Sequence, residues 1–122
     1  MGYLQIAYAS EGHVQHGRVQ NASGMFVKAD SGSITAAAAA TANEMPEDFR
    51  ISITSAADAD AYPISSFTWL SVKIDDRQKR DATVGLLRWI VADGQKLAAP
   101  LDYAPLPGDV TTSVLHAVDR IQ

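Results

Sequence analysis

The sequence predicts an α/β fold, a mixed sheet with flanking helices organised on one central strand at about residues 62–73. Three observations lead there. Residues 61–73 (Ala-Tyr-Pro-Ile-Ser-Ser-Phe-Thr-Trp-Leu-Ser-Val-Lys) are apolar on both period-two faces, with Ile64, Leu70 and Val72 on one and Phe67 and Trp69 on the other. A strand apolar on both sides belongs in the middle of a sheet covered by helices, which places Trp69 in the core. The chain ahead of it consists of small-residue loops and short extended runs, and the chain after it is patterned for helix.

Taken in order, the first strand is expected over residues 2–9, where Leu4, Ile6 and Tyr8 alternate with Tyr3, Gln5 and Ala7. Residues 10–18 hold Gly12, Gly17, His13 and His16 and form a polar connection. Residues 19–27 then form a small hairpin that turns at Asn21-Ala22-Ser23-Gly24 and returns through Met25-Phe26-Val27. Asp30-Ser31-Gly32-Ser33 is a group of helix-capping residues ahead of Ile34-Thr35 and the alanines 36–40, so a helix starts there. Alanine forms helix well but buries little area, and this helix is expected close against a sheet or loop. Residues 43–46 end it, residues 51–54 alternate like a short strand, and residues 55–60 form a loop.

Beyond the central strand, Asp75 and Asp76 precede a helix with Val84, Leu87 and Val91 on one line and Thr83, Leu86 and Ile90 on the next. Asp93-Gly94 is expected to break it, with Gly94 as a left-handed cap, and residues 95–101 add a further turn or two before Pro100 limits them. Pro107 opens the last helix in its first turn, Asp109 sits near the positive end of the dipole, and Val110, Val114, Val118 and Ile121 form its buried line.

With 122 residues, 47% of them hydrophobic and 20% charged, the chain suits one ordinary domain. A formal net charge of −4 argues against nucleic acid or an anionic membrane surface as partner. A small anion could still be held locally by main-chain amides and one arginine. Without cysteine there is no disulfide and no thiolate chemistry. No apolar run approaches the roughly twenty residues that cross a bilayer, and Met1-Gly2-Tyr3 lacks the pattern of a signal peptide, so the sequence as written is expected to carry no export signal.

Candidate chemistry is sparse. His13 and His16 would meet over a metal ion only in a helix, and the flanking glycines argue for solvated loop histidines. Asp58 and Asp60 read as an ordinary polar loop rather than an acid–base pair, and His116 falls on the exposed side of the last helix. The hydroxyls of Ser65, Ser66 and Thr68 could donate to an oxyanion, although strand hydroxyls more often bond within the sheet. The free amides after Asp30 could hold an anion, but capping by itself accounts for that group. Arg18, Arg50 and Arg88 are the anion partners on offer. No nucleophile, base and oxyanion donor converge, so neither an enzyme nor a cofactor is expected.

Four blocks of sequence have a familiar order: Gly2-Tyr3 to Tyr8-Ala9; Asn21-Ala22-Ser23-Gly24 to Val27; Asp60-Ala61-Tyr62-Pro63-Ile64 to Trp69; and Asp93-Gly94-Gln95-Lys96 followed by Leu101-Asp102-Tyr103-Ala104-Pro105-Leu106-Pro107. In these blocks, which span nearly the whole chain, the sequence resembles the C-terminal part of the phosphate-binding proteins of bacterial phosphate ABC transporters, within the two-lobed periplasmic binding protein superfamily (type II).

The resemblance implies a partial periplasmic-binding-protein-like fold. Residues 1–60 (strand, hairpin, alanine-rich helix) would be a portion of the second lobe, and residues 61–122 the hinge strand and C-terminal helices of the first, or the two together one compact unit. Tyr62, Pro63 and Ile64 would then be the hinge, and Ser65 and Ser66 the candidate ligand-binding residues beside it. It implies inorganic phosphate as ligand, an ABC transporter permease as partner and a periplasmic or cell-envelope location. Family members hold phosphate with an arginine, serine, glycine, threonine signature from upstream segments, which has no counterpart here, so no phosphate-coordinating residue carries over. A sheet without those segments would expose edges and apolar surface. Self-association, strand exchange between copies or a missing partner chain is therefore expected. The other reading is a stand-alone structural or interaction protein that oligomerises through the incomplete fold.

Overall fold

The computed structural model describes residues 2–73 and 77–121; Asp75 and Asp76, expected ahead of the third helix, lie outside the described residues. The elements follow as α1 (Ile6–Glu11), β1 (Val19–Gln20), β2 (Phe26–Val27), α2 (Ser31–Ala40), α3 (Arg77–Val91) and α4 (Gly108–Asp119). Short 3₁₀ turns at Ala42–Glu44, Asp93–Leu97 and Ala99–Leu101 connect them. This is a mixed helical fold with a small antiparallel sheet, compatible with a piece of an α/β protein.

The first expected strand is a helix instead. Period-two alternation in residues 3–8 makes a strand only where another strand lies alongside, and none does among the described residues. Ala7 and Ala9 favour helix in its absence, and Ala9 is the residue that α1 buries. The helix closes in a Schellman motif: Val14 N–H donates to the Ala9 carbonyl at 2.8 Å and His13 N–H to that of Ser10 at 3.1 Å. His13 takes the left-handed conformation that the motif requires (φ 51°), one residue after the glycine that would adopt it most easily.

The hairpin forms as expected. Val19 pairs with Val27 and Gln20 with Phe26, Gly24 N–H closes the turn onto the Asn21 carbonyl at 3.0 Å, and Gly24 supplies a positive φ of 80°. Asn21 is buried and ties this turn to a segment some forty residues on. Its Nδ2 lies 3.0, 2.8 and 3.2 Å from the carbonyl oxygens of Asp58, Ala59 and Ala61. Its Oδ1 accepts from Ser23 N at 3.1 Å and Met25 N at 3.0 Å. Every lone pair and proton of the amide has a partner inside the protein.

The alanine-rich helix also forms. Asp30 accepts from Ser33 N at 2.9 Å and Ser33 Oγ accepts from Asp30 N at 3.2 Å, a complete capping box. Ala37 and Ala61 are both fully inaccessible and meet with Ala56 in one cluster, so α2 packs on the 56–61 loop through small side chains. Tyr62 N–H donates to the Ser33 carbonyl at 3.0 Å across the same contact.

The central strand is not formed. Residues 65–73 contain no ladder, and residues 63–64 bend. Its side chains are not core: Ile64 is 69% exposed, Leu70 60% and Trp69 50%. A strand is stable in a sheet because its neighbours take up its main-chain groups, and among the described residues the only ladder is β1–β2. The apolar pattern is present, but among the described residues no strand lies beside it. Residues 51–54 fail to form a strand for the same reason, although Ile53, at 2% exposure, is the largest fully buried side chain.

In the C-terminal half the helical reading holds. α3 buries Val91 and α4 buries Val110 and Val118, with Val84, Leu87, Val114 and Ile121 half-covered; Leu86 is exposed. The two helices pack on each other, with Arg88 paired to Asp119 at 2.7 Å. Both partners are about half exposed, which leaves at most about 1 kcal/mol. Pro107 is the N-cap of α4 rather than a residue of its first turn. Gly94 is not a left-handed cap; a Cβ there would lie 3.0 Å from the Trp89 carbonyl and 3.4 Å from its ring, a tight contact that favours glycine through space rather than φ. Gln95 bridges the two ends of this region, donating to Ile90 O at 2.9 Å and accepting from Leu106 N at 2.8 Å.

Two predictions follow from these ties. Asn21→Ala should lower stability to urea by about 2–4 kcal/mol, since it leaves buried carbonyls and amides without partners; a loss under about 0.5 kcal/mol would remove Asn21 from its organising place. Asn21→Asp should not rescue, because it aims a carboxylate at three carbonyl oxygens.

The second concerns Asp93 and Lys96, paired at 2.7 Å on the surface. The hydrogen bond from Lys96, and after it the lysine's charge, holds the Asp93 carboxyl below its ordinary 3.8, and the same contact raises Lys96 above 10.5. The pair's contribution is therefore complete between those values, declines as pH falls through the lowered carboxyl pKa, and declines again as pH rises through the raised ammonium pKa. A carboxyl NMR titration should give Asp93 an inflection below 3.8 that moves up in Lys96→Ala. The urea midpoint at neutral pH should stay put, because both side chains are largely exposed and the pair is screened by solvent.

Candidate functional site

A cavity of about 720 Å³ is lined by half-covered and exposed apolar side chains together with part of the core. α2 contributes Ile34 and Ala38, and the 45–53 segment Met45, Phe49 and Ile53; residues 66–72 form a rim through Phe67, Trp69, Leu70 and Val72. Leu87, Ile90 and Val91 of α3 and Val110, Val114 and Val118 of α4 close the far side, with Tyr103 and Pro105 at the end.

Each element reaches the cavity for a local reason. Thr35 Oγ1 donates to Pro105 O at 3.0 Å and so links α2 to the connection before α4. Phe49 holds a left-handed backbone (φ 58°), a strained state for a bulky residue. Its amide donates to Pro46 O at 3.0 Å, and its carbonyl accepts from Ile51 N at 3.0 Å and from the Trp69 indole N–H at 2.9 Å. Trp69 also meets Phe67 edge to face, with centroids 6.2 Å apart.

Four of the polar side chains on the wall have partners within the protein. Thr35 and Gln95 make the bonds given above, Ser66 Oγ donates to Phe67 O at 3.1 Å, and Asp48 accepts from Arg50 N at 3.1 Å. Among the described residues, Asp48 is the only carboxylate on the wall and no lysine or arginine lines it. A desolvated anion there would meet hydrocarbon and a carboxylate among these residues, a poor setting for it. The cavity's chemistry suits an apolar occupant.

The residues singled out in the sequence are dispersed. Ser65 is buried and spends its hydroxyl on Tyr62 O at 2.8 Å, whereas Ser66 lies on the cavity wall, so the two do not converge. Tyr62 is half-buried and Pro63 buried, and the Pro63 carbonyl accepts from Ser55 N at 2.9 Å. With the Tyr62–Ser33 bond, this pins the proposed hinge to the 55 loop and α2. Arg18 donates to Phe26 O at 3.4 Å, Arg50 faces Asp48 at 3.7 Å and Arg88 pairs with Asp119. Arg50 shares a shallower depression of about 540 Å³ with Ser52, Ser71 and the Asp48 carboxylate. Asp58 accepts from Asp60 N at 2.8 Å in a local turn. His13, His16 and His116 are exposed, and among the described residues no group of three metal-ligating side chains assembles. No described helix is long and apolar enough to cross a membrane.

Sequence reasoning missed Asn21 and Gln95. The Asn-Ala-Ser-Gly turn and the Asp-Gly-Gln-Lys run are legible as turn chemistry and as blocks of the resemblance, but an amide that bonds across the fold looks no different in sequence from one facing water.

No family model matches the chain. It is 32% identical over 116 residues to the phosphate-binding protein PstS of Xylella fastidiosa, covering 93% of this chain and 32% of that protein. Against the phosphate-binding protein PstS of Methanocaldococcus jannaschii it is 32% identical over 136 residues, covering all of this chain and 35% of the other. The protein of the same name from Haemophilus influenzae is 28% identical over 93% of this chain and 35% of its own length. The chain thus resembles these phosphate-binding proteins along nearly its whole extent, and it spans about a third of their length.

The aromatic rim yields a prediction. Because Trp69 is half exposed, Trp69→Ala should cost about 1–2.5 kcal/mol, below the ~3–5 kcal/mol of a fully buried aromatic. Trp69→Phe, which loses chiefly the indole bond to Phe49 O, should cost about 1 kcal/mol. Equal costs for the two in chemical denaturation would show that packing around Trp69 contributes nothing.

Proposed function

We propose that this chain is part of a phosphate-binding-protein-like solute-binding unit that captures inorganic phosphate for an ABC transporter permease in the cell envelope, and that it performs no covalent chemistry. The observation that supports this reading is the similarity to PstS proteins along 93–100% of the chain. In this reading residues 1–60 derive from one lobe and residues 61–122 from the hinge strand and helices of the other, with Tyr62, Pro63 and Ile64 at the crossing.

The chain's share of the work is structural. Among the described residues no cationic side chain lines the apolar cavity, and Arg50 and Arg88 are paired to carboxylates, so in this reading the groups that hold the anion come from elsewhere in such a unit. Ser65 and Ser66 would have to give up their present carbonyl partners to take part.

A chimera tests the proposal. The matching 116-residue stretch of the Xylella protein is replaced by this chain, and phosphate binding is measured by equilibrium dialysis. The expected result is a folded chimera that retains saturable phosphate binding, while the chain alone shows none up to millimolar phosphate. A folded chimera without binding would overturn the reading, and saturable binding by the chain alone would place the site within these 122 residues.

A further inference from the structure

The connection between α3 and α4 carries a reactive pair of residues. We propose that Asp93–Gly94 is a covalent modification site at which Asp93 converts to isoaspartate, that Lys96 restrains the conversion, and that the product releases the Gln95 tie. This goes beyond the phosphate reading and does not depend on it.

The chemistry needs an aspartate and the main-chain amide that follows it. The Gly94 nitrogen gives up its proton and attacks the Asp93 carboxyl carbon. A C–N bond forms, the carboxyl C–O bond breaks, and the departing oxygen leaves as water, which closes a five-membered succinimide. Water then adds to either ring carbonyl. Opening at the former main-chain carbonyl routes the chain through the side-chain carbon, so the product is an isomer with one more carbon in its main chain. Ring closure is least hindered when the second residue is glycine, which has no side chain and the widest choice of main-chain angles. Asp93–Gly94 is the one place in the 122 residues where aspartate or asparagine precedes glycine.

The structure presents this pair to water and restrains it at the same time. The Asp93 side chain is 68% exposed. Asp93 and Gly94 open the 3₁₀ turn at Asp93–Leu97, and Gln95 N–H closes the main chain around them onto the Ala92 carbonyl at 3.2 Å. Gly94 lies half-buried against Trp89, so the peptide plane that must rotate toward the carboxyl is packed on one side. Lys96 Nζ donates to Asp93 Oδ1 at 2.7 Å, which draws the carboxylate toward residue 96 and favours its ionised form. A carboxylate is the poorer electrophile, because its oxygen leaves as water only when protonated.

The product acts where this region is joined. Gln95 follows Gly94, and its side chain donates to Ile90 O at 2.9 Å and accepts from Leu106 N at 2.8 Å. An extra main-chain carbon between Ile90 and Gln95 changes the spacing that lets one amide reach both, and the tie between α3 and the segment before α4 loosens.

The test follows the folded chain at neutral pH over weeks. Isoaspartate is read by mass spectrometry after digestion with an endoprotease that cuts before aspartate but not before isoaspartate. It is expected at residue 93 ahead of every other aspartate. Lys96→Ala, with wild-type helix content by circular dichroism, should accumulate it about two- to fivefold faster, the range that an exposed ion pair can supply. Lys96→Arg, which keeps the cation, should match the wild type. In urea, where the turn is gone, all three should react alike. The isomerised fraction, once separated, should unfold at a lower urea concentration than the unmodified chain. A folded Lys96→Ala chain that reacts at the wild-type rate overturns the proposal, as does an acceleration of the same size in urea. So does isoaspartate that appears first at another aspartate, or an isomerised fraction with an unchanged urea midpoint. If Lys96→Ala loses its helix content, Lys96→Gln, which keeps a long side chain without the charge, takes its place and is held to the same outcomes.

Discussion

The buried side-chain amide of Asn21 is the constraint on which the rest of the N-terminal half depends. A hairpin with two-residue strands has almost no stability of its own. Here its turn is held from inside by the amide oxygen, while the amide nitrogen takes up three carbonyls of the 58–61 loop. That loop in turn lies on α2 through Ala56, Ala61 and Ala37. Because the contact is made by alanines, the distance between helix and loop is set by backbone and β-carbon, and the amide bonds have little room to lengthen. One polar residue and three methyl groups together locate the hairpin, the loop and the helix.

A second amide performs the equivalent task in the C-terminal half. Gln95 joins the end of α3 to the segment that leads into α4. Both amides fall within blocks that link this sequence to the phosphate-binding proteins. In this chain the two amides serve architecture, joining segments that are far apart in sequence. An asparagine bonded across forty residues tolerates few replacements, because aspartate reverses the sign of its donor edge and alanine leaves the carbonyls dry.

The apolar residues are divided unequally. Among the described residues the buried hydrophobic side chains are small, from alanine to a single isoleucine, whereas Trp69, Phe49, Phe67, Leu70 and Leu87 line the cavity. Aromatic and leucine side chains supply most of the apolar area in an ordinary core, so a chain that keeps them at a rim holds its largest source of stability in reserve. The strained Phe49 backbone and the bent Pro63–Ile64 step lie next to this rim, where main-chain bonds to Trp69 and Ser55 fix them.

The sequence by itself determined the local structure: the capping box before α2, the glycine turn of the hairpin and the apolar lines of α3 and α4. Each is decided by residues within one turn of one another, where spacing and side-chain chemistry suffice. It also showed that residues 64–72 are apolar on both faces and that hydroxyls and arginines are available. Only the tertiary structure decided that residues 2–9 yield a helix at Ile6–Glu11, that residues 62–73 remain unpaired with Trp69 half exposed, and that Ser65 turns inward while Ser66 faces the cavity. The physical reason is the same in every case. A helix satisfies its main chain from its own neighbours in sequence, whereas a strand, a site or a buried amide is completed by groups far along the chain, and an amphipathic pattern states what a segment can pair with but not whether a partner is there.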